Sequence, residues 1–467
     1  MRTKDYDDFY LHALLERSNV YWLKGESRNY LEDIKKGYEK AGHTGSSTDR
    51  MMFRIQEADY IFSKGEFTEA ANMYASLYRK FEKAGEMQYA ARCLSNIGFC
   101  YGRLGSLKKE IEFNRKALAL YSEVNDISGK AYCLNNIAAY YYKRGDYEKQ
   151  LNFLNNALEA FQSIGHKMGE ALCLNNLGAL YNKTGDIDKQ IIYFRQSLKI
   201  RESIGFTQGT ALLYNNLGMV YGKKGNMEKH LYYLQRAIDI YSDTGNKWGL
   251  ALVYNNRGYV CSKTGHFDCG YTYLKKAYSL CKDISDANRL VSVLENLCSL
   301  YYEQDKLALG NECLIELKAL SGKIDTPETA FKYKYCRTLK QLKEYCMKER
   351  KLNRKSAMSA ADSILSDSAK LCRNKESAMA RLLAGRFFLL LHEYERASGH
   401  FAKAKELIKQ TGDALILNEI DMHCLKMLQM ELEETGECSL RRKIRSYENK
   451  IDQFLISANS LMKEEER

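Results

Sequence analysis

Proline and long hydrophobic runs are scarce in this sequence of 467 residues. Proline interrupts helix interiors, so the single Pro327 favours helix throughout the chain and leaves no Pro-rich linker. No stretch approaches the ~20 apolar residues of a membrane span, and acidic residues occupy the N-terminus where a secretory signal has its apolar core. We therefore expect a cytoplasmic protein that does not insert into membranes.

Motifs for catalysis and metal binding are also missing. The sequence has no GxxxxGK[ST] phosphate loop, no GxSxG, no HExxH and no CxxC. Its cysteines lie in helical patterns, and the group of Cys261, His266, Cys269 and Cys281 has a spacing that fits no zinc site. We predict that the chain is not an enzyme and has no metal and no cofactor. We expect the cysteines to be small packing residues in a reducing compartment.

An internal repeat dominates what is present. The phrase LNNLGALYNKTG, at residues 174–185, returns in variants every 40 residues. A fixed period of this length is the signature of a solenoid, in which stacked repeats share one continuous core. The second asparagine of the phrase falls at Asn96, Asn136, Asn176, Asn216, Asn256 and Asn296.

Residues 130–169 illustrate one repeat. Apolar residues recur at spacings of three and four from Lys130 to Arg144 and again from Tyr147 to Ser163, which predicts two amphipathic helices. Gly145 follows the first helix, as a left-handed helix terminus prefers, and Asp146 can cap the second. Each repeat is therefore predicted to be two antiparallel helices.

This pattern resembles the tetratricopeptide repeat in its 40-residue form. The match is carried by Leu177, Gly178, Tyr181, Gly185 and Ala157. The NNLG signature is similar to that of Pins-type polarity adaptors, kinesin light chains and bacterial peptide-sensing regulators. The resemblance implies an all-α fold, a right-handed superhelix (α-solenoid) of about nine helix-turn-helix repeats with a C-terminal capping helix pair.

The predicted organisation has five segments. They are N-terminal helices with a degenerate first repeat at 1–49, a regular array at 50–329, an irregular helical segment at 330–375, a further repeat at 376–412, and capping helices at 413–467. The last helix carries an apolar stripe, which offers an alternative surface for a partner or for self-association. The stripe consists of Ile444, Ile451, Leu455, Ala458 and Met462.

One position departs from the family pattern. A small residue early in the second helix normally lets the two helices approach closely, but most middle repeats have a polar residue there. We expect either looser helix pairing or hydrogen bonding between the helices at these sites. The residues are Glu110, Gln150, Gln190, His230 and Gly270.

The resemblance also implies a binding surface. In such arrays the first helix of each repeat lines the concave groove, so residues at equal offsets form rows along it. The predicted peptide-binding asparagines are Asn96, Asn135, Asn136, Asn175, Asn176, Asn215, Asn216, Asn255 and Asn256. A basic row follows at Arg103, Lys143, Lys183, Lys223 and Lys263.

Each row has two interpretations. An asparagine amide can pair with the NH and C=O of any extended peptide, or it can tie neighbouring helices together. Adjacent helical residues point about 100° apart, so one asparagine of each pair can serve each role. The cations are favoured at helix C-termini by the macrodipole, and in phase they would also attract an acidic peptide.

Three functions follow from these features. The leading hypothesis is a non-catalytic scaffold or adaptor that binds an extended, acidic peptide segment of a partner protein in its groove. The alternative is a sensory or regulatory subunit that controls a separate effector through a ligand-dependent change of the superhelix. Nucleic-acid binding through the basic row is disfavoured, since a net charge of +12 is only mildly basic for this length.

Overall fold

A computed structural model describes residues 2–24, 27–44, 47–63, 65–205, 207–324, 326–347, 354–371, 373–409, 411–437 and 439–465. These residues form 22 α-helices and no strand. The first ten are α1 (Arg2–Lys24), α2 (Ser27–Thr44), α3 (Ser47–Ser63), α4 (Phe67–Lys83), α5 (Met87–Arg103), α6 (Leu107–Glu123), α7 (Ile127–Arg144), α8 (Tyr147–Ser163), α9 (Lys167–Thr184) and α10 (Ile187–Ser203). The next six are α11 (Thr207–Lys223), α12 (Met227–Asp243), α13 (Lys247–Lys263), α14 (Phe267–Asp283), α15 (Ala287–Glu303) and α16 (Leu307–Lys323). The last six are α17 (Pro327–Cys346), α18 (Arg354–Leu371), α19 (Asn374–Leu390), α20 (Tyr394–Lys409), α21 (Ala414–Thr435) and α22 (Leu440–Glu465).

The helix pair α7 and α8 forms as its sequence predicts. Asp126 caps α7 by accepting a hydrogen bond from the backbone N of Gly129 at 2.8 Å. Gly145 ends this helix at φ 74°, and Asp146 then caps α8 through the backbone N of Lys149 at 3.1 Å. The two-residue connection turns the chain back, so the helices pack as an antiparallel pair.

The left-handed turn is kept even where its glycine is replaced. Asn125, Ser285 and Asp305 stand in register with the turn glycines of other repeats and have φ of 53°, 55° and 58°. Side chains other than glycine are strained in this region, although asparagine and aspartate tolerate it better than most. The tertiary packing of each repeat therefore imposes the turn.

The chain divides into two compact units. Unit 1 comprises Met1–Leu180 and Ile192–Gly209, and unit 2 comprises Tyr181–Ile191 and Thr210–Arg467. In unit 1, the first helices α5 and α7 of successive repeats contact each other. In unit 2, α13, α15, α17, α19 and α21 contact one another in that order, and α21 also returns to α13. First helices therefore form an inner layer within each unit.

The polar residues early in the second helices are accommodated by hydrogen bonds. Glu110 is buried, and its carboxylate accepts from Nζ of Lys143 in the next repeat at 2.7 and 2.9 Å. His230 is fully buried, and its Nδ1 donates to the backbone oxygen of Gly218 on the paired helix at 2.7 Å. At these two positions the expectation of hydrogen bonding between helices is met.

The C-terminal stripe is used partly within the chain. Helix α22 packs against α21 and α12, and Ile444 and Ile451 are buried there. Leu455 is half-buried, while the side chains of Ala458 and Met462 lie outside the described residues. None of the described helices is long and apolar enough to cross a membrane.

Candidate functional site

The paired asparagines of unit 1 connect neighbouring repeats. Nδ2 of Asn176 donates to Oδ1 of Asn135 in the preceding repeat at 2.7 Å. Nδ2 of Asn136 donates likewise to the Ser95 hydroxyl at 3.2 Å. On α5, Asn96 instead donates to a carboxylate oxygen of Asp59, at 3.3 Å.

The same geometry recurs in unit 2. Asn256 donates to Asn215 at 2.8 Å, and Asn296 donates to Asn255 at 3.0 Å. The second asparagine of a repeat is thus the donor, and the first asparagine of the preceding repeat is the acceptor. Within a repeat, the first asparagine donates to the second at 3.3 Å from Asn175 to Asn176 and at 3.4 Å from Asn215 to Asn216.

Burial separates the two asparagines in three of the four pairs, whereas Asn175 and Asn176 are both half-buried. The first members Asn135, Asn215 and Asn255 are 6%, 3% and 9% exposed, whereas the second members are only half-buried. The side-chain contacts therefore fit the interpretation that these residues tie repeats together. The peptide-clamp role stays a prediction, and the half-buried second asparagines are the members to which it can apply.

The basic row is largely engaged within the chain. Nζ of Lys143 pairs with buried Glu110, and Nζ of Lys263 pairs with Glu419 of α21 at 2.7 Å. Nζ of Lys223 donates to Asn182 at 2.6 Å. The Arg103 guanidinium lies 5.3 Å from the ring centroid of Phe67, and the Lys183 side chain lies outside the described residues. These internal partners weaken the positive field that the sequence pattern predicts.

A cavity of about 240 Å³ lies inside unit 2. It is lined mainly by the inner faces of the first helices α13, α15, α17 and α19. Its size is just below the roughly 300 Å³ at which pockets for drug-sized ligands begin, so it can hold a few side chains of a peptide. Its polar lining includes Asn255, Asn256, Ser262, Lys263, Glu295, Asn296, Ser299, Glu303, Glu328, Lys332, Lys375 and Glu376.

Charged groups at one end of the cavity stabilise one another. Burial alone would raise the pKa of Glu303, but the cations Arg386, at 3.0 Å, and Lys343, at 3.6 Å, lower it to about 2. Burial opposes the charge of Lys263, yet Glu419 raises the pKa of this ammonium to about 12. These ion pairs link α13 to α21 and α15 to both α17 and α19.

The lining also carries a cation of a different kind. Nζ of Lys375 lies 5.2 Å from the ring centroid of Tyr259, a cation–π distance. Among the described residues, Lys375 forms no ion pair. Tyr259, Phe331 and Tyr335 supply aromatic surface to the same cavity, next to the amides of Asn256 and Asn296. The cavity thus combines apolar surface, amide groups, ammonium groups and carboxylates.

Sequence reasoning found only part of this lining. Three of the predicted site residues, Asn255, Asn256 and Lys263, belong to it, and the others lie elsewhere on the two units. Asn296 also falls in register with the row of second asparagines. Lys332 and Lys375 come from the segment where the repeat pattern fades, so no periodic signal pointed to them.

Comparisons with known proteins identify the repeats. Two family models, both described as tetratricopeptide repeat, match residues 131–203 and 210–243. No curated protein sequence matches the chain. The prediction of tetratricopeptide repeats is confirmed over these residues, and so is the prediction of an all-α solenoid fold.

Two solved structures have a similar fold. A Rap protein complexed with competence and sporulation factor is 13% identical, with a TM-score of 0.58, and the match covers 78% of this chain and 98% of that chain. A signal transduction ATPase with numerous domains from Pyrococcus horikoshii, which has a tetratricopeptide repeat sensor, is 17% identical with a TM-score of 0.54. That match covers 72% of this chain and 50% of the ATPase. At these identities the likeness concerns the fold alone.

Proposed function

We propose that this chain is a non-catalytic interaction module that binds an extended peptide segment of a partner protein in the cavity of unit 2. The observation that carries this proposal is the convergence of four inner helices on one cavity that offers amide, ammonium and aromatic groups. The similarly folded Rap protein, solved in complex with competence and sporulation factor, supports a ligand-binding role for such an array.

The ammonium group of Lys375 suits a peptide that carries a carboxylate. An asparagine amide has two N–H donors and an acceptor oxygen, so Asn256 keeps one donor and the oxygen after its bond to Asn215. These groups suit the C=O and NH of a peptide backbone. Lys375 offers a positive charge to an acidic side chain, while Tyr259 and Phe331 cover apolar atoms.

Selection from a phage-displayed library of random peptides tests the proposal. Peptides enriched on the wild-type chain are synthesised with a fluorophore, and their affinities are measured by anisotropy. We expect Lys375→Gln to weaken binding about tenfold, because it removes a charge-assisted hydrogen bond worth about 1.5 kcal/mol. The matched control is Lys276→Gln, because Lys276 also lies over a tyrosine ring, that of Tyr273 at 5.4 Å, but away from the cavity. Equal affinities of the two variants would contradict the proposed site.

A regulatory role is the second candidate, and the contact between α21 and α13 favours it. Glu419 reaches Lys263 on the cavity wall, and both side chains are less than one-fifth exposed. Leu415 of α21 also packs in a small apolar cluster with Met227 and Val260. A ligand that engages Lys263 would compete with Glu419 and thereby shift α21 and α22, the surface through which a separate effector would be controlled.

Hydrogen exchange distinguishes a switch from a static scaffold. If ligand binding moves α21, a selected peptide will change the exchange of amides in α21 and α22 as well as in the cavity helices. Protection confined to α13, α15, α17 and α19 would favour the scaffold and oppose regulation through the C-terminal helices.

A further inference from the structure

Two cysteines meet at the turn between α13 and α14. Sγ of Cys261, in the last turn of α13, lies 2.7 Å from Sγ of Cys269, in the first turn of α14. Cys261 is 1% exposed and Cys269 is half-buried. No group of three or more metal-ligating side chains occurs within the described residues, so these thiols are not part of a metal-binding cluster.

The four preceding repeats place a different pair at these two positions. A tyrosine ends the first helix and a lysine begins the second, and the ammonium lies over the ring. The distances from Nζ to the ring centroid are 4.6 Å for Lys109 and Tyr101, 5.4 Å for Lys149 and Tyr141, 5.1 Å for Lys189 and Tyr181, and 5.2 Å for Lys229 and Tyr221. In the next repeat both members are replaced together, by Cys261 and Cys269. The two replacements thus exchange one contact between the helices for another.

The helices of this repeat are also built for close approach. Gly270 stands where the two preceding repeats have Gln190 and His230, and a Cβ there would lie 2.5 Å from the Ser262 hydroxyl and 3.2 Å from the backbone oxygen of Gly258. Only glycine fits this contact. The close approach allows two short side chains to meet where the four preceding repeats have a tyrosine and a lysine.

We propose that Cys261 and Cys269 form a reversible disulfide that links α13 to α14. An S–S bond is about 2.05 Å long, so bond formation requires a shift of less than about 1 Å from the present contact. A reducing environment keeps both residues as thiols, and a small disulfide such as oxidised glutathione is the oxidant. The crosslink does not depend on the proposed peptide binding.

The reaction is a pair of thiol–disulfide exchanges. The more accessible Cys269, as its thiolate, attacks one sulfur of oxidised glutathione and releases one glutathione thiolate. The Cys261 thiolate then attacks Sγ of Cys269 in the mixed disulfide and releases the second glutathione thiolate. The two protons of the cysteines end on the two glutathiones, and the cysteines are oxidised by two electrons while the small disulfide is reduced.

The location gives the crosslink a consequence for the cavity. Ser262 and Lys263 lie between the two cysteines in sequence, as does Phe267, and all three line the cavity. A disulfide would hold this turn, and with it Lys263, in one arrangement. Oxidation is therefore expected to stiffen the wall of the cavity that carries the contact to α21.

Peptide mapping tests the crosslink on the full-length chain. The protein is equilibrated with defined ratios of oxidised to reduced glutathione, alkylated, digested with trypsin without reduction, and analysed by mass spectrometry. Trypsin cleaves after Arg257, Lys263 and Lys275, so the disulfide will join peptides 258–263 and 264–275. We expect this linked product in the wild type and its loss in Cys269→Ser. Cys346→Ser, at an exposed cysteine far along the sequence, should leave the link intact.

Three results would overturn the proposal. They are a glutathione adduct that persists on Cys269, a link from either cysteine to Cys281, and thiols that stay alkylatable at every ratio. A melting experiment guards against a folding defect in the variant. Oxidation should raise the melting temperature of the wild type by several degrees and leave that of Cys269→Ser unchanged, provided that both have the same helix content by circular dichroism.

Discussion

His230 is predicted to make unit 2 sensitive to mild acid. Burial lowers the pKa of this imidazole from 6.5 to about 4; the hydrogen bond to the Gly218 carbonyl opposes the shift, and the nearby Arg257 cation adds to it. A histidine with a lowered pKa binds fewer protons in the folded chain than in the unfolded chain. Its stability contribution is therefore present above pH 6.5 and is lost as the pH falls from about 6.5 towards 4.

The size of the effect follows from the two pKa values. At pH 5 the unfolded imidazole is protonated and the folded one is mostly neutral. This pH lies about 1.5 units below the pKa of the imidazole in the unfolded chain. At 1.36 kcal/mol per unit, the free energy of unfolding falls by about 2 kcal/mol between pH 7.5 and pH 5. His230→Gln should lack this loss, and glutamine already stands at the equivalent positions Gln150 and Gln190.

Urea unfolding followed by circular dichroism at the two pH values measures this difference. Other groups titrate in the same range, so the diagnostic quantity is the loss in the wild type minus the loss in the variant. We expect about 2 kcal/mol. Equal losses, or an imidazole that titrates near 6.5 by NMR in the folded chain, would mean that water reaches His230 and would refute the reasoning.

Three further predictions concern single contacts. Glu419→Gln should lower stability by about 2 kcal/mol in thermal melts, because it leaves the charge of the largely buried Lys263 side chain without its partner. Asn256→Ala should lower the free energy of unfolding by about 1 kcal/mol in urea titrations. It removes an inter-repeat hydrogen bond and leaves the acceptor, Oδ1 of Asn215, without this donor. Ser285→Gly should raise the free energy of unfolding by about 1 kcal/mol, because glycine adopts a positive φ without strain. Gly245→Ser, at the equivalent position of the preceding repeat, should lower it by a similar amount.

Much of the fold could be predicted because each repeat carries its own local signals. Apolar residues at spacings of three and four define each helix, and a glycine followed by a capping residue defines each turn. The helix bounds of α7 and α8 match the pattern that ends at Gly145 and resumes after Asp146. Such signals involve residues close in sequence, so they need no knowledge of how repeats stack.

The partners of the asparagines could not be predicted in this way. The bond from Asn176 to Asn135 spans 41 residues, and its formation depends on the rotation between successive repeats. Sequence spacing gives the direction of a side chain about its own helix axis but leaves that rotation unknown. The pattern could therefore locate the row of asparagines, but it could not decide whether their side chains face the groove or the contact between neighbouring repeats.

The candidate site lies where the repeat is broken, and the reason is physical. Identical repeats make identical surfaces, so a distinct pocket needs residues that differ from their counterparts. Glu295 replaces the first asparagine and Glu303 replaces the lysine of the basic row, which places carboxylates opposite Lys332 and Arg386. Cys261 and Cys269 break the tyrosine–lysine pair in the same stretch. These departures all fall between residues 261 and 303, and they turn one part of a uniform array into a cavity with its own chemistry.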